Sequence, residues 1–327
     1  METDFDQDIE PDFDKENSPD ESLAGEVGEL SKEDTLNARL RRYEPLKARA
    51  LDMVDYIGTL PLSKQKESLR KGIHECGEFL LFRDYYEKHQ VRLHKASFCK
   101  NHLLCPLCGL RRAVKYLQAY EKRFKSIKLE HPEITPYLVT YTVKDGPDLR
   151  ERFRHLRNNL NLQKIRRAEA ARGSRPLIQM NKALGGVDCY EFKKGSGSGE
   201  WHPHNHGIWL CRERPYQTEA QAEWKEITGD SFIVDMRPID QNKTLLEGFM
   251  EVFRYALKPS TLSLEEQYEA AQTLKGKRLI NSFGIFRGVE IPESLEDEPI
   301  DGAPFIEILF QFLRISGYSF IKKDPRR

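Results

Sequence analysis

The chain has 327 residues, 32% of them charged, and a formal net charge of zero. It contains no run of about 18 apolar residues, and its first residues are acidic rather than basic and apolar. That argues against a membrane span or a secretory signal and for a soluble, cytoplasmic protein. The zero conceals a split: residues 1–34 hold 14 Asp/Glu against 2 Lys, which leaves a net charge of +12 on the rest.

The acidic head has few large apolar residues and no periodicity, so it is expected to be disordered. In a reducing compartment, clustered cysteines read as metal ligands rather than disulfides. "FCKNHLLCPLCG" supplies Cys99, Cys105 and Cys108, and its Cys-Pro-Leu-Cys step is a metal-knuckle spacing suited to Zn²⁺. A structural site needs a fourth ligand. Cys76 is the leading candidate if "EFLLFRDYYEKHQVRLHKASFC" folds as a hairpin, with His94 and His102 as substitutes. A helix follows over about residues 110–125, with Leu110, Val114, Leu117 and Phe124 as its apolar stripe. Its basic residues include Arg111 and Arg112, candidates for phosphate contact.

"PYLVTYTVKD" (136–145) alternates and reads as a strand. The segment 149–175 is helical in composition up to about Arg172 and carries nine Arg/Lys against two Glu. It is a candidate DNA-backbone surface, with Arg166 and Arg167 among its cations. "GVDCYEFKKG" and "EWHPHNHGIWLC" read as an antiparallel hairpin around a Gly/Ser loop. Strand alternation puts His202, His204 and His206 on one face, where neighbouring imidazoles can converge on a divalent cation. The facing strand offers Glu191 and Asp188. A four-residue loop pairs position 191 with 204 and makes Glu191 a ligand; a register shifted by one turns it away.

"EGFMEVFRYALKPS" (247–260) is an amphipathic helix ending at a proline, with Phe249, Val252, Phe253, Ala256 and Leu257 on its apolar side. Glu251 and Tyr255 are neighbours at i and i+4, and Lys258 follows. A tyrosine can attack a metal-polarised phosphodiester, a nearby carboxylate can take a proton, and a lysine can offset phosphate charge. Residues 261–288 continue with a helix and a Gly-bounded turn. The stretch 289–302 reads as an acidic linker, and 303–323 as an ordered apolar segment, either a closing helix or an oligomer contact.

Together, "FCKNHLLCPLCGLRRA", "YLVTYTVKD", "EWHPHNHGIW", "WKEITGDSFIVDMRP" and "EVFRYALK" resemble, in order, plasmid rolling-circle replication initiator (Rep) proteins. These belong to the HUH endonuclease superfamily, named for His-hydrophobic-His. The resemblance runs from about Cys76 to Arg287. It implies an α+β fold with a central antiparallel sheet, flanking helices and an N-terminal zinc-binding module. It also implies Mn²⁺ or Mg²⁺ on His204 and His206 with Glu191 as third ligand, and Zn²⁺ on Cys76, Cys99, Cys105 and Cys108. Tyr255 is then the nucleophile that forms a 5′-phosphotyrosine, with Lys258 beside it and Glu251 activating water in the closing step. The one departure is Asn205 between the histidines.

The implied domains are a disordered acidic tail (1–34), a zinc-binding and basic helical region (35–130), the HUH catalytic domain (131–288), and an acidic linker with an apolar C-terminal segment (289–327). The expected partner is plasmid origin DNA. A host helicase and polymerase are expected too, since no Walker-type loop occurs, and a homo-oligomer is compatible with the C-terminal segment. The rival readings are an HUH transposase or relaxase, and a non-catalytic zinc DNA-binding regulator.

Overall fold

The computed structural model describes residues 35–61, 63–239, 249, 252–253 and 262–326, so the acidic head lies outside the described residues. The chain opens with α1 (Leu36–Thr59), whose first turn is capped by the Thr35 hydroxyl, and α2 (Lys64–Glu75), capped by Ser63. Each cap accepts an otherwise orphaned backbone N–H. The segment between Cys76 and Cys99 forms the expected hairpin, β1 (Phe79–Tyr85) against β2 (Gln90–Ala96). Helix α3 (Pro106–Glu130) places Pro106 at its start, where a missing N–H costs nothing.

The C-terminal apolar segment is neither a helix nor left unpartnered in the chain. It forms β8 (Phe305–Leu313) and β9 (Gly317–Arg326), and β8 pairs with β1. Ile308, Phe310 and Phe312 recur at every second position and are buried together, the two-residue period of a strand. The result is a four-stranded antiparallel sheet in the order β2-β1-β8-β9, built from both ends of the described chain.

The presumed acidic linker is also ordered into this module. Asp297 is buried between two fully buried guanidinium groups: it lies 2.7 Å from Arg39 and is hydrogen-bonded to Arg111. It also accepts the Leu93 backbone N–H at 2.6 Å. Arg111 also donates to the Leu295 carbonyl and the Tyr43 hydroxyl. Arg111 therefore cannot meet DNA as expected; its charge is spent holding residues 289–302 against α1 and α3.

Between these ends lies a five-stranded antiparallel sheet in the order β6-β3-β5-β4-β7. Its strands are β3 (Thr135–Thr142), β4 (Ala183–Lys194), β5 (Trp201–Cys211), β6 (Val234–Pro238) and β7 (Ile280–Gly284). α4 (Leu149–Ala171) and α5 (Gln217–Thr228) cover one face, where Phe153, Leu156, Leu160 and Trp224 cluster with Tyr137, Val139, Tyr141, Tyr190 and Trp209. The Trp224 indole donates to the Thr142 carbonyl at 2.8 Å, so its polar edge is not buried unpaired. The other face contributes Leu138, Val187, Cys189, Ile208 and Leu210 to a second cluster with Leu117 and Tyr120 of α3 and with Phe249, Val252 and Phe253. α6 (Leu264–Leu274) closes the layer, capped by a reciprocal Ser263–Glu266 pair. The fold is thus α+β, a central antiparallel sheet flanked by helices beside a cysteine-bearing N-terminal module. No helix among the described residues is long and apolar enough to cross a membrane.

Candidate functional site

The β4–β5 hairpin closes with Gly195 donating to the Glu200 carbonyl at 2.8 Å, leaving a four-residue loop. That loop length fixes the register Glu191↔His204, with Cys189↔His206 and Lys193↔His202 on either side. Directly opposed residues share a face, so Glu191 joins the histidines. On the other flank, β3 pairs Thr142 with His204 and Thr140 with His206.

These two threonines set the imidazoles. The Thr142 hydroxyl lies 3.0 Å from His204 Nδ1, and the Thr140 hydroxyl 2.9 Å from His206 Nδ1. With Nδ1 engaged, each ring turns its Nε2 to the site, as in protein metal centres where an outer oxygen holds the ligand histidine. His206 Nε2 is 2.9 Å from Glu191 Oε2, and both side chains are nearly buried. His204 Nε2 is buried and has no hydrogen-bond partner. Burial holds the His204 pKa well below the usual histidine range, and the neighbouring His202, His206 and Lys193 charges add to this. A neutral imidazole with an unsatisfied buried nitrogen, next to an imidazole–carboxylate pair, fits a divalent cation. An unpaired buried nitrogen costs on the order of 1–3 kcal/mol, which a bound ion would remove.

His202 is set differently. Its Nδ1 bonds to Asp145, which also takes the Ser198 hydroxyl, and its ring meets that of His204 edge-on at 4.2 Å. Asp188, offered from sequence as a second carboxylate on the facing strand, lies on the opposite face. There it accepts Lys164 at 3.1 Å, Asn205 at 3.1 Å and Asn281 at 3.3 Å. This network explains Asn205: its amide also donates to the Cys189 carbonyl at 3.3 Å, so a polar residue is satisfied where a hydrophobe was expected. Thr140, Thr142 and Asp145 were not singled out from sequence. The signal was present, because positions 140 and 142 alternate in step with the histidines across the ladder.

Tyr255, Glu251 and Lys258 lie outside the described residues. Phe249, Val252 and Phe253, which precede Tyr255 in the sequence, are helical and fully buried. The rings of Phe249 and Phe253 stack at 5.9 Å, and Phe253 lies 5.3 Å from Tyr120 of α3. They belong to the same apolar cluster as the histidine-bearing face of the sheet.

The four cysteines converge from four places: Cys76 after α2, Cys99 after β2, Cys105 as the N-cap of α3 and Cys108 in its first turn. Their sulfurs all lie within 4.8 Å of one another, at 3.4 Å for Cys76–Cys108, 3.5 Å for Cys76–Cys105 and 3.7 Å for Cys99–Cys108. A tetrahedral Zn–S₄ site with bonds of ~2.3 Å separates its sulfurs by ~3.8 Å, so the set is dimensioned to hold zinc. Among the described residues, no other group of three or more His, Cys, Asp or Glu draws together this tightly. His102 turns its Nδ1 to the Cys108 carbonyl at 3.3 Å, and His94 sits on β2; neither joins the set. The ammonium of Lys47 is buried nearby, 2.5 Å from the His74 carbonyl and within electrostatic reach of Cys76, Cys105 and Cys99.

The remaining basic candidates are engaged within the protein. Arg112 donates to the Pro292 carbonyl at 2.6 Å and lies over Tyr116. Arg166 pairs with Glu226 at 2.8 Å, and Arg167 donates to the Met180 and Ala183 carbonyls over the Phe283 ring. These positions fall on the packed side of α4, whereas Arg150, Arg154 and Arg157 of the same helix are exposed.

A family model described as Rep_1, replication protein, matches residues 90–307. A curated relative named "Protein rep" from Streptococcus pneumoniae serotype 2 is 25% identical over 241 residues, covering 68% of this chain and 72% of that one. A "Protein rep" from Lactiplantibacillus plantarum is 23% identical over 220 residues, 65% of this chain and 64% of the relative. A third, from Bacillus sp, is 27% identical over 173 residues, 50% and 51% of the two chains. No solved structure matches significantly.

Proposed function

Since this chain belongs to the Rep_1 replication protein family, we propose that it initiates rolling-circle replication of a plasmid by nicking one DNA strand at the origin. The observation that carries the proposal is the buried, unpartnered Nε2 of His204 beside the Glu191–His206 pair. His204, His206 and Glu191 would hold a divalent cation, Mn²⁺ or Mg²⁺, which when bound supplies Lewis-acid polarisation of the scissile phosphate. Thr140 and Thr142 engage Nδ1 of both imidazoles, which orients each ring with its Nε2 toward the site.

Tyr255 attacks the phosphorus. Its Oη–P bond forms as the P–O3′ bond breaks, leaving a 5′-phosphotyrosine and a 3′-oxygen that takes a proton from solvent and becomes the hydroxyl that primes synthesis. Glu251 takes the phenolic proton, and Lys258 offsets charge on the transferring phosphate. In the closing step Tyr255 is still joined to DNA, so Glu251 activates a water for the second cut. The 3′-hydroxyl that this frees attacks the phosphotyrosine phosphorus, breaks the Oη–P bond and releases Tyr255. These three roles rest on the sequence pattern. Zn²⁺ on the four thiols would tie α2, the β1–β2 hairpin and the start of α3 together. Because α3 packs on Phe249 and Phe253, it would also fix the helix that precedes Tyr255. Helicase and polymerase come from the host.

The test is a denaturing gel of the protein with single-stranded origin DNA and Mn²⁺. The parent is expected to give a covalent protein–DNA adduct and Tyr255→Phe none. No adduct from the parent with cation bound would leave a DNA-binding regulator in place of a nickase.

A further inference from the structure

Lys193 and Lys194 are adjacent in sequence and opposite in space. In the β4–β5 register Lys193 pairs with His202 and Lys194 with Trp201. Strand neighbours alternate between faces, so Lys193 stands on the face of Glu191, His204 and His206. Lys194 stands on the other, its ammonium 4.1 Å from the centre of the Trp201 ring and 3.8 Å from Glu266.

Lys193 is half-buried and sits one cross-strand row beyond the Glu191–His204 pair, about 7 Å along the strands. Rows further in, at Cys189 and Val187, are buried. On the outer side the hairpin ends in the Gly/Ser loop, exposed from Ser196 to Gly199. The row of Lys193 is therefore the mouth of the cation site, and Lys193 faces it beside His202, which Asp145 anchors. Neighbouring phosphates of an extended single strand are spaced on the same scale as these two rows. A strand whose scissile phosphate reached His204 and His206 would carry its next phosphate past Lys193.

Resting on the nicking function above, we propose that Lys193 binds the phosphate adjacent to the scissile one, forming a second phosphate subsite for single-stranded DNA at the hairpin mouth. A compact ammonium suits this task, since a phosphate that must pass through after the cut needs attraction without a rigid fork. A lysine that merely balanced Glu191 would affect cation retention and leave the DNA untouched.

The experiment measures affinity for a single-stranded origin oligonucleotide across a salt series, with Mn²⁺ present. The proteins carry Tyr255→Phe so that binding stays reversible, alone or with Lys193→Gln, Lys193→Ala, Lys193→Arg or Lys194→Gln. Each phosphate contact on a single strand contributes about −0.7 to the slope of log K against log salt. Lys193→Gln and Lys193→Ala should flatten the slope by about 0.7, and Lys193→Arg and Lys194→Gln should leave it unchanged. An oligonucleotide with a neutral methylphosphonate beside the scissile phosphate should weaken binding when Lys193 is present and not when it is Gln. The proposal is overturned by a slope unchanged in Lys193→Gln, by an equal change in Lys194→Gln, or by a methylphosphonate penalty that persists without Lys193. A missing adduct from the parent alongside the expected slopes would refute the nicking and spare the subsite; an adduct without the slope change would do the reverse.

Discussion

Asp297→Asn is the most informative single change outside the site. It preserves the shape of the side chain and removes only the charge that two fully buried guanidinium groups, Arg39 and Arg111, share. Each guanidinium also bonds neutral groups: the Val91 carbonyl and Tyr43 hydroxyl for Arg39, the Leu295 carbonyl and Tyr43 hydroxyl for Arg111. Breaking a buried ion pair by removing one partner's charge costs about 3–5 kcal/mol, because the attraction lost offsets the desolvation of charges held in a poor solvent. At about 2–4 °C per kcal/mol, the melting temperature should fall by roughly 6–20 °C. Differential scanning calorimetry at pH 7 measures it, and a variant melting within about 2 °C of the parent would refute the reasoning. The pH dependence follows from the same triad. Burial alone would raise the Asp297 pKa, but the Arg111 and Arg39 charges outweigh it and hold the carboxyl well below the usual carboxylate range. A depressed carboxyl contributes stability that is present above its unfolded value of about 4 and is lost as the pH falls toward the folded one. The gap between parent and variant should therefore be full at pH 6 and should narrow steadily below pH ~4.

Two further changes probe the candidate metal sites. Cys105→Ser, or a strong zinc chelator, should remove about one zinc per chain and lower the melting temperature, measured by atomic absorption and thermal melting; zinc retained in full by the variant would exclude Cys105 as a ligand. Thr142→Val removes the oxygen at 3.0 Å from His204 Nδ1 and should weaken Mn²⁺ binding by about 10–100-fold in calorimetric titration, with Thr140→Val alike; unchanged affinity would mean the threonines do not set the imidazoles.

What was legible in the sequence was local. The Gly/Ser loop fixes its own length, loop length fixes register, and register puts Glu191 opposite His204, so the grouping of Glu191 with His204 and His206 followed from residues 186–211. The cysteine cluster needed one hairpin to bring Cys76 to Cys105, and that hairpin was visible in its alternation. Long-range partners were not legible. Arg111 looks like any cation on a basic helix until Asp297, 186 residues away, is placed against it. The partners of Arg166 and Arg167 were hidden for the same reason, since composition reports that a helix is basic but not which arginines it turns toward carbonyls and Glu226. The apolar C-terminal segment kept its structure undecided because its partner strand, β1, lies more than 200 residues earlier.

That pairing of β1 with β8 orders events during synthesis. The five-stranded sheet is complete once β7 has been made, at Gly284, while β1 must wait for residues 305–313. At about 5–20 residues per second, the interval between Tyr85 and Phe305 lasts roughly 10–40 s. Throughout it the nascent chain carries one bare strand edge beside Leu80 and Phe82, residues that end fully buried. The β1–β2 hairpin and the cysteine cluster, all made by residue 108, are the elements available to hold that edge until the last strands arrive, so whatever draws the four thiols together and the rate of translation act on the same vulnerable interval.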